Sequence, residues 1–396
     1  MEEMIMRKSY FAIIALGALV IASCQKENSA DLPKVDSPVF TATLDADSDT
    51  KTVLVETVDG KKSHWESGDA IRVLNGTGGS AVYTTTDAGA TATFTTTEGF
   101  TGTEFIAMYP ASQAESASWD AAGKTVNNLC LKPEQKAVAS GYDPEAHIAV
   151  AYTETKTLDF LNAVSLLKFT CGSDNISEVC VYAKANAAAG TGTESKNALS
   201  GYFNLNLNPE KKEVITATED GTANNYVKVT GALKKGQTYY IACLPTTFTN
   251  GFTVEVVSLG NKEAAKTTSK NYTLNRNKIL NLGTVESTLE TRTLYLDTGV
   301  WNQDSPKYDA WIWGEGMSGT WVDFEVEKGN ILKTTIPNNT KGIKIYRRGP
   351  SMPSHVNEDN DATRWNAVQL DITSTINSII ITNWWEAKAS ETIPTI

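Results

Sequence analysis

Between Val39 and Val285 the sequence is broken into short runs of β-branched and aromatic residues, each closed within a few positions by Gly, Asp, Asn or Pro. Phe40–Leu44, Ala70–Leu74, Ala92–Thr96, Phe105–Tyr109, Leu166–Thr170, Thr238–Ala242 and Thr253–Val257 are the clearest of them. Runs of this length and spacing predict the strands of β-sandwiches, and no long stretch with a 3.6-residue apolar period competes with that reading. The Thr-rich segment from Gly76 to Thr103 fits the same scheme as hairpins, because β-branched threonine suits exposed strand faces. A sandwich takes roughly 100 residues, so this region accommodates two. The apolar run Ala163–Phe169 opens a second strand series, which places the boundary before Leu166 and gives segments 39–165 and 166–287. In Trp65-Glu-Ser-Gly-Asp69 the indole reads as core and Gly68-Asp69 as the turn into the strand at Ile71.

The N-terminus reads as an address. Arg7 and Lys8 precede a mostly apolar stretch, Tyr10 to Ala22, that ends in Ile21-Ala22-Ser23-Cys24. The stretch is shorter than the roughly 20 residues that a membrane-spanning helix needs. Residues 1–23 therefore read as a secretory signal, with small residues before Cys24 that fit a lipoprotein signal peptidase. Lipidated Cys24 would anchor the chain at the surface of the outer membrane, and residues 24–38, polar and without period, would be a tether. Export leaves Cys130, Cys171, Cys180 and Cys243 either as buried small hydrophobes or in disulfides, and sequence does not choose between these.

Charge and motif content narrow the function. A net charge of −11 argues against a nucleic-acid partner, which would require a basic face. The three histidines, His64, His147 and His355, lack metal-ligand spacing, and no Cys-x-x-Cys occurs, so no metal or cofactor is expected. Glu358-Asp-Asn-Asp361 offers oxygen ligands of the kind calcium takes, but such runs are more often solvated loops. No nucleotide fingerprint appears, and no segment remains for a catalytic domain once the sandwiches are assigned. The chain reads as non-enzymatic.

Seven of the nine tryptophans (301, 311, 313, 321, 365, 384 and 385) follow residue 290. A short Ser/Thr/Glu linker, 286–291, separates this part from the strands before it, and residues 292–396 read as a third, small sandwich. In Tyr308-Asp-Ala-Trp-Ile-Trp313 the two-residue strand period puts Asp309, Trp311 and Trp313 on one face and Ala310 and Ile312 on the other. A sandwich of this size cannot bury so many indoles, so one or two are expected at the surface. Flat indole faces stack on the C–H faces of pyranose rings while neighbouring polar side chains satisfy the hydroxyls.

Two resemblances sharpen the reading. Phe40-Thr-Ala-Thr43, Thr50-Lys-Thr52, His64–Val73, Phe105–Pro110, Leu158–Phe169, Gly236–Pro245 and Leu274–Gly283, in this order, resemble the fimbrillin-like family of surface lipoproteins of anaerobic bacteria over about residues 38–287. That resemblance implies two transthyretin-like β-sandwiches, in a family that includes type V pilus subunits assembled by donor-strand exchange after proteolysis near the first strand. The family's cut follows an arginine, whereas this chain has none between Cys24 and Arg72. The chain also continues for over 100 residues past Val285, which favours a tip or accessory position over a shaft subunit.

The second resemblance covers about residues 292–386. Leu294–Asp297, Trp301, Tyr308–Trp313, Trp321, Thr334–Pro337, Gly342–Arg348 and Arg364-Trp-Asn366 are similar in spacing to starch-binding-type carbohydrate modules of families 25 and 26. It implies a sugar platform from Tyr308 or Trp313 together with Trp321, with Lys344 or Arg347 as polar partner. The expected fold is all-β, two transthyretin-like sandwiches followed by a third. The expected partners are a glycan, the membrane through the Cys24 lipid and, for an assembling subunit, other pilins. The expected role is a fimbrillin-like adhesin or pilus tip or accessory subunit. The alternatives are a glycan-binding lipoprotein of a polysaccharide-uptake system and a purely structural pilus subunit.

Overall fold

The computed structural model describes residues 37–44, 55–57, 60–62, 64–115, 117–184, 197–207, 215–217, 223–356 and 366–396. The signal segment with Cys24, most of the tether, the acidic run Glu358–Asp361 and Trp365 lie outside them. The described residues are mostly strands joined by turns and loops, and their helical elements are short 3₁₀ turns.

The first sheet has seven strands in the order Ser80–Thr84, Ala70–Asn75, Phe105–Tyr109, Ala149–Thr153, Thr157–Asn162, Phe40–Leu44 and Thr91–Phe94. It curls until its edges meet through reciprocal bonds between Thr84 and Thr95, at 2.9 and 3.0 Å. Phe40–Leu44 runs parallel to Thr157–Asn162 and antiparallel to Thr91–Phe94, and it buries Phe40, Ala42 and Leu44 inside the curl. Trp65 is the centre of this core. It is buried, meets Phe94, Tyr109 and Phe160 edge-on at 4.9–5.3 Å, and donates Nε1–H to the Ala42 carbonyl. Such aromatic pairs add about 0.5–1.5 kcal/mol each beyond burial. Gly68 and Asp69 make the expected turn, with Asp69 N–H bonded to Glu66 O and the Tyr109 hydroxyl donating to Asp69.

A second sandwich faces Glu134–Lys136, Tyr226–Thr230, Ile176–Ala183, Phe252–Ser258 and Asn261–Thr267 against Thr238–Cys243, Ser165–Cys171 and Ile279–Val285. The two bodies do not part cleanly at 165/166. A four-stranded sheet (Ile215–Ala217, Gly201–Asn206, Thr125–Leu131 and Ser118–Asp120) covers a middle core that runs through Ile106, Met108, Ala163, Val164, Leu166 and Tyr240. Strands buried on both faces read as unbroken apolar runs, which explains Phe105–Tyr109 and Tyr239–Cys243. Cys130, Cys171, Cys180 and Cys243 are unpaired thiols. Burial raises the pKa of each, to about 11 at Cys180.

The third sandwich packs Glu325–Lys328, Ile331–Pro337, Thr291–Asp297, Ser378–Asn383 and Glu386–Ser390 against Thr320–Asp323, Lys307–Gly314, Thr340–Arg348 and Asn366–Asp371. Its core holds Leu294, Trp301, Ala310, Ile312, Ile343, Ile345 and Ile379, and Leu259 of the second sandwich enters it. The predicted linker is clamped at both ends. The Glu263 carboxylate accepts from Ser287 and Thr288, and the Arg292 guanidinium donates to the carbonyls of Pro337, Asn338, Thr373 and Ile376. Gly260 O accepts from Ser318 N–H at 3.0 Å and Asn261 from Asn339 at 2.8 Å, so the third sandwich is mounted on the second.

Candidate functional site

Strand Lys307–Gly314 divides its side chains as its period requires. Ala310 and Ile312 are in the core, whereas Trp311 and Trp313 lie on the outer face of the four-stranded sheet, partly exposed. Register then decides their neighbours: Trp311 lies between Trp321 and Lys344, Trp313 opposite Gly342, and Asp309 between Asp323 and Tyr346.

Glycine gives two of the indoles their seats. A Cβ built on Gly342 would come within 2.2 Å of Trp313 Cε2 and Cζ2, so this indole rests directly on the neighbouring backbone. A Cβ on Gly319 would come within 2.6 Å of Trp311 Cζ2. Gly342→Ala is therefore expected to force Trp313 off its seat, at about 1–3 kcal/mol for overpacking, with a red shift in tryptophan emission and a lower Tm. Unchanged emission and Tm would mean that Trp313 does not rest there.

Trp321 is more crowded. His355 stacks on it at 5.6 Å and 17°, Trp311 meets it edge-on at 5.4 Å, and Tyr346 lies tilted at 5.3 Å. The Arg348 guanidinium sits 5.5 Å from the Trp321 ring centre and 4.8 Å from that of Tyr346, within cation–π range. Lys344 Nζ lies 5.5 Å from the Tyr346 ring. Beneath them Arg348 Nε donates to both Asp309 oxygens, at 2.9 and 2.7 Å, with both side chains 1% exposed. The His355 backbone N–H donates to Asp309 at 2.9 Å, and its Nε2 lies 2.9 Å from Asp323 Oδ1. Asp309, Asp323 and His355 bring three potential metal-ligand atoms together, but Arg348 already neutralises Asp309, and the arrangement serves to anchor the 349–356 segment.

The five residues proposed from sequence do not share one surface. Trp313, Trp321 and Lys344 lie on the outer face. Tyr308 and Arg347 have the parity of Ala310 and Ile345 and lie on the inner side, at the end of the sheet. The Tyr308 hydroxyl donates to the Trp301 carbonyl at 2.8 Å, and Arg347 Nε donates to the same carbonyl at 2.7 Å. Arg347 also bonds Gln303 O, is 2% exposed, and stacks its guanidinium 5.2 Å from the Trp384 ring centre. These contacts hold the Trp301 turn in place and leave neither side chain on the face that carries Trp313.

Sequence reasoning passed over one exposed pair. Trp384 and Trp385 form the two-residue turn between Ser378–Asn383 and Glu386–Ser390 and are 38% and 71% exposed. Trp301, by contrast, is wholly buried and donates Nε1–H to Trp384 O. A pair of large apolar residues at a hairpin turn, where small polar residues are usual, was the available signal.

No protein-family profile matches the chain, and no curated protein matches it in sequence. Solved structures that match include a candidate cell adhesion protein from Bacteroides uniformis, with 16% identity and a TM-score of 0.36 over 62% of this chain and 91% of that one. A fimbrial protein from Bacteroides ovatus matches with 13% identity and a TM-score of 0.26 over 81% of this chain and 59% of that one. The tip fimbrial protein Mfa3 from Porphyromonas gingivalis, with C-terminal truncation, matches with 9% identity and a TM-score of 0.27 over 61% and 92%.

Proposed function

We propose that the chain is a non-catalytic, fimbrillin-like surface lipoprotein, an adhesin or a pilus tip or accessory subunit, whose C-terminal sandwich binds glycan on its outer aromatic face. One observation supports the reading: Trp313 packs against the Gly342 backbone on the outer, partly exposed face of the sheet and not in the core. A tryptophan needed only for the core would point with Ala310 and Ile312. Partly exposed Trp311 and Trp313, with Lys344 beside them, combine the flat apolar surface and the hydroxyl partner that sugar recognition uses. In this reading Trp313 is the platform and Trp321, on which His355 stacks, its flank.

The test is binding by residues 25–396 to a glycan array of host and plant polysaccharides, followed by fluorescence titration with the best ligand and with maltooligosaccharides. Wild type is expected to bind. Trp313→Ala is expected to lose about 2 kcal/mol, some thirtyfold in affinity, as a central anchor residue does. No array signal together with no fluorescence change would remove the binding role and leave a structural subunit.

A further inference from the structure

Beside Trp321 the edge strand Thr320–Asp323 opens onto a cleft of about 740 Å³. Its module wall carries Trp321, Asp323 and His355, and its opposite wall comes from the second sandwich, at Ser177, Ala232 and Leu233. We infer that this cleft is the second half of the glycan site, so that a neutral oligosaccharide laid on Trp313 and Trp311 runs past Trp321 and ends between the two sandwiches. The inference rests on the glycan-binding reading above and adds to it a site that neither sandwich forms alone.

Three observations lead there. The volume falls within the roughly 300–1,000 Å³ of ligand pockets. The indoles lie in series on one face, since Trp313 and Trp311 are two residues apart on one strand and Trp311 is the cross-strand partner of Trp321 and meets it edge-on. The walls are fixed to each other: Leu259 enters the third core, Gly260 O holds Ser318 N–H, and Asn261 holds Asn339, all within a few residues of the cleft. A preformed groove of this kind avoids the ordering cost that flexibly tethered modules incur on binding.

Charge selects the ligand class. Asp323 and Glu325 line the cleft, and Lys333, the one lysine among its described lining residues, is ion-paired to Glu327. The surplus is negative, which disfavours uronates, sialylated chains and phosphates. The carboxylates instead provide acceptors, and the hydroxyls of Thr334 and Thr335 donors and acceptors, for neutral sugar hydroxyls.

The experiment uses residues 25–396 and three variants: Ala232→Trp and Ser177→Trp, which fill the cleft from the second sandwich, and Trp313→Ala, which removes the platform. Each is titrated with a disaccharide and with longer members of the best array glycan, maltose to maltoheptaose being the first series. Wild type is expected to gain at least tenfold in affinity from short to long chains. Either cleft variant is expected to abolish that gain while leaving the disaccharide affinity within twofold, a pattern that misfolding does not produce. Cleft variants that keep the full chain-length gain overturn the inference and leave the platform reading standing. Undiminished binding by Trp313→Ala, or a wild type that binds no array glycan, overturns both.

Discussion

Asp309→Ala is expected to destabilise the C-terminal sandwich by about 3–5 kcal/mol, the usual cost of removing one partner from a buried ion pair. Both side chains are 1% exposed, so the Arg348 guanidinium would remain buried without its carboxylate, and its Nη2 already lacks a hydrogen-bond partner among the described residues. The same substitution removes the acceptor for His355 N–H and unties the 349–356 segment from the aromatic face. For a domain of this size a loss of 3 kcal/mol corresponds to a fall in Tm of more than about 10 °C. Calorimetry should show this as a shift of one transition, with unfolding of the earlier sandwiches much less affected. Joint replacement by apolar residues, Asp309→Leu with Arg348→Met, is expected to recover most of the loss, because the desolvation of both charges disappears together. A single-site change below 1 kcal/mol would show that the pair is solvated and does not hold the face.

The second large effect is acid sensitivity at His147. The ring is 1% exposed between Tyr109 and Tyr142, its Nδ1 has no hydrogen-bond partner among the described residues, and burial pushes its pKa down to about 3. The unfolded chain takes up this proton near pH 6.5, whereas the folded chain does not until about pH 3. Between these values the unfolded state binds more protons, so stability falls as pH falls, by at most about 1.4 kcal/mol per unit and about 5 kcal/mol in all. Above pH 7 the residue contributes no slope. Denaturant titrations of wild type and His147→Leu from pH 7 to pH 4 isolate the effect from that of the carboxylates. The variant should show a shallower loss, and parallel curves would mean that His147 is hydrated or charged in the folded protein.

The fold was legible where one property decides an outcome. Short β-branched runs closed by turn residues correspond to strands, and the unbroken run Phe105–Tyr109 is the strand with both faces buried. The alternation of Asp309, Trp311 and Trp313 against Ala310 and Ile312 separated the two faces of the strand, and the structure puts Ala310 and Ile312 in the core. The same alternation already excluded Tyr308 and Arg347, which share parity with core residues, and following family spacing in preference to parity put them on the wrong side. What could not be read were pairings between distant strands. Nothing local says that Gly342 lies opposite Trp313, or that Asp309 meets Arg348, since both follow from the register of two strands about 30 residues apart. The pairing of Thr125–Leu131 with Gly201–Asn206, which sets a middle core across the presumed boundary, is non-local in the same way. The mounting of the third sandwich on Leu259, Gly260 and Asn261 depends on a hairpin turn whose sequence resembles any other surface turn.

The third sandwich carries two separate aromatic surfaces: the outer face with partly exposed Trp311 and Trp313, and the hairpin turn with exposed Trp384 and Trp385. The most direct measurement is isothermal titration calorimetry of wild type, Trp313→Ala and Trp385→Ala with the best glycan from the array. Glycan binding on the outer face predicts that Trp313→Ala weakens affinity about thirtyfold and that Trp385→Ala leaves it within twofold. Loss in Trp385→Ala with unchanged binding in Trp313→Ala would contradict it and move the ligand to the hairpin turn.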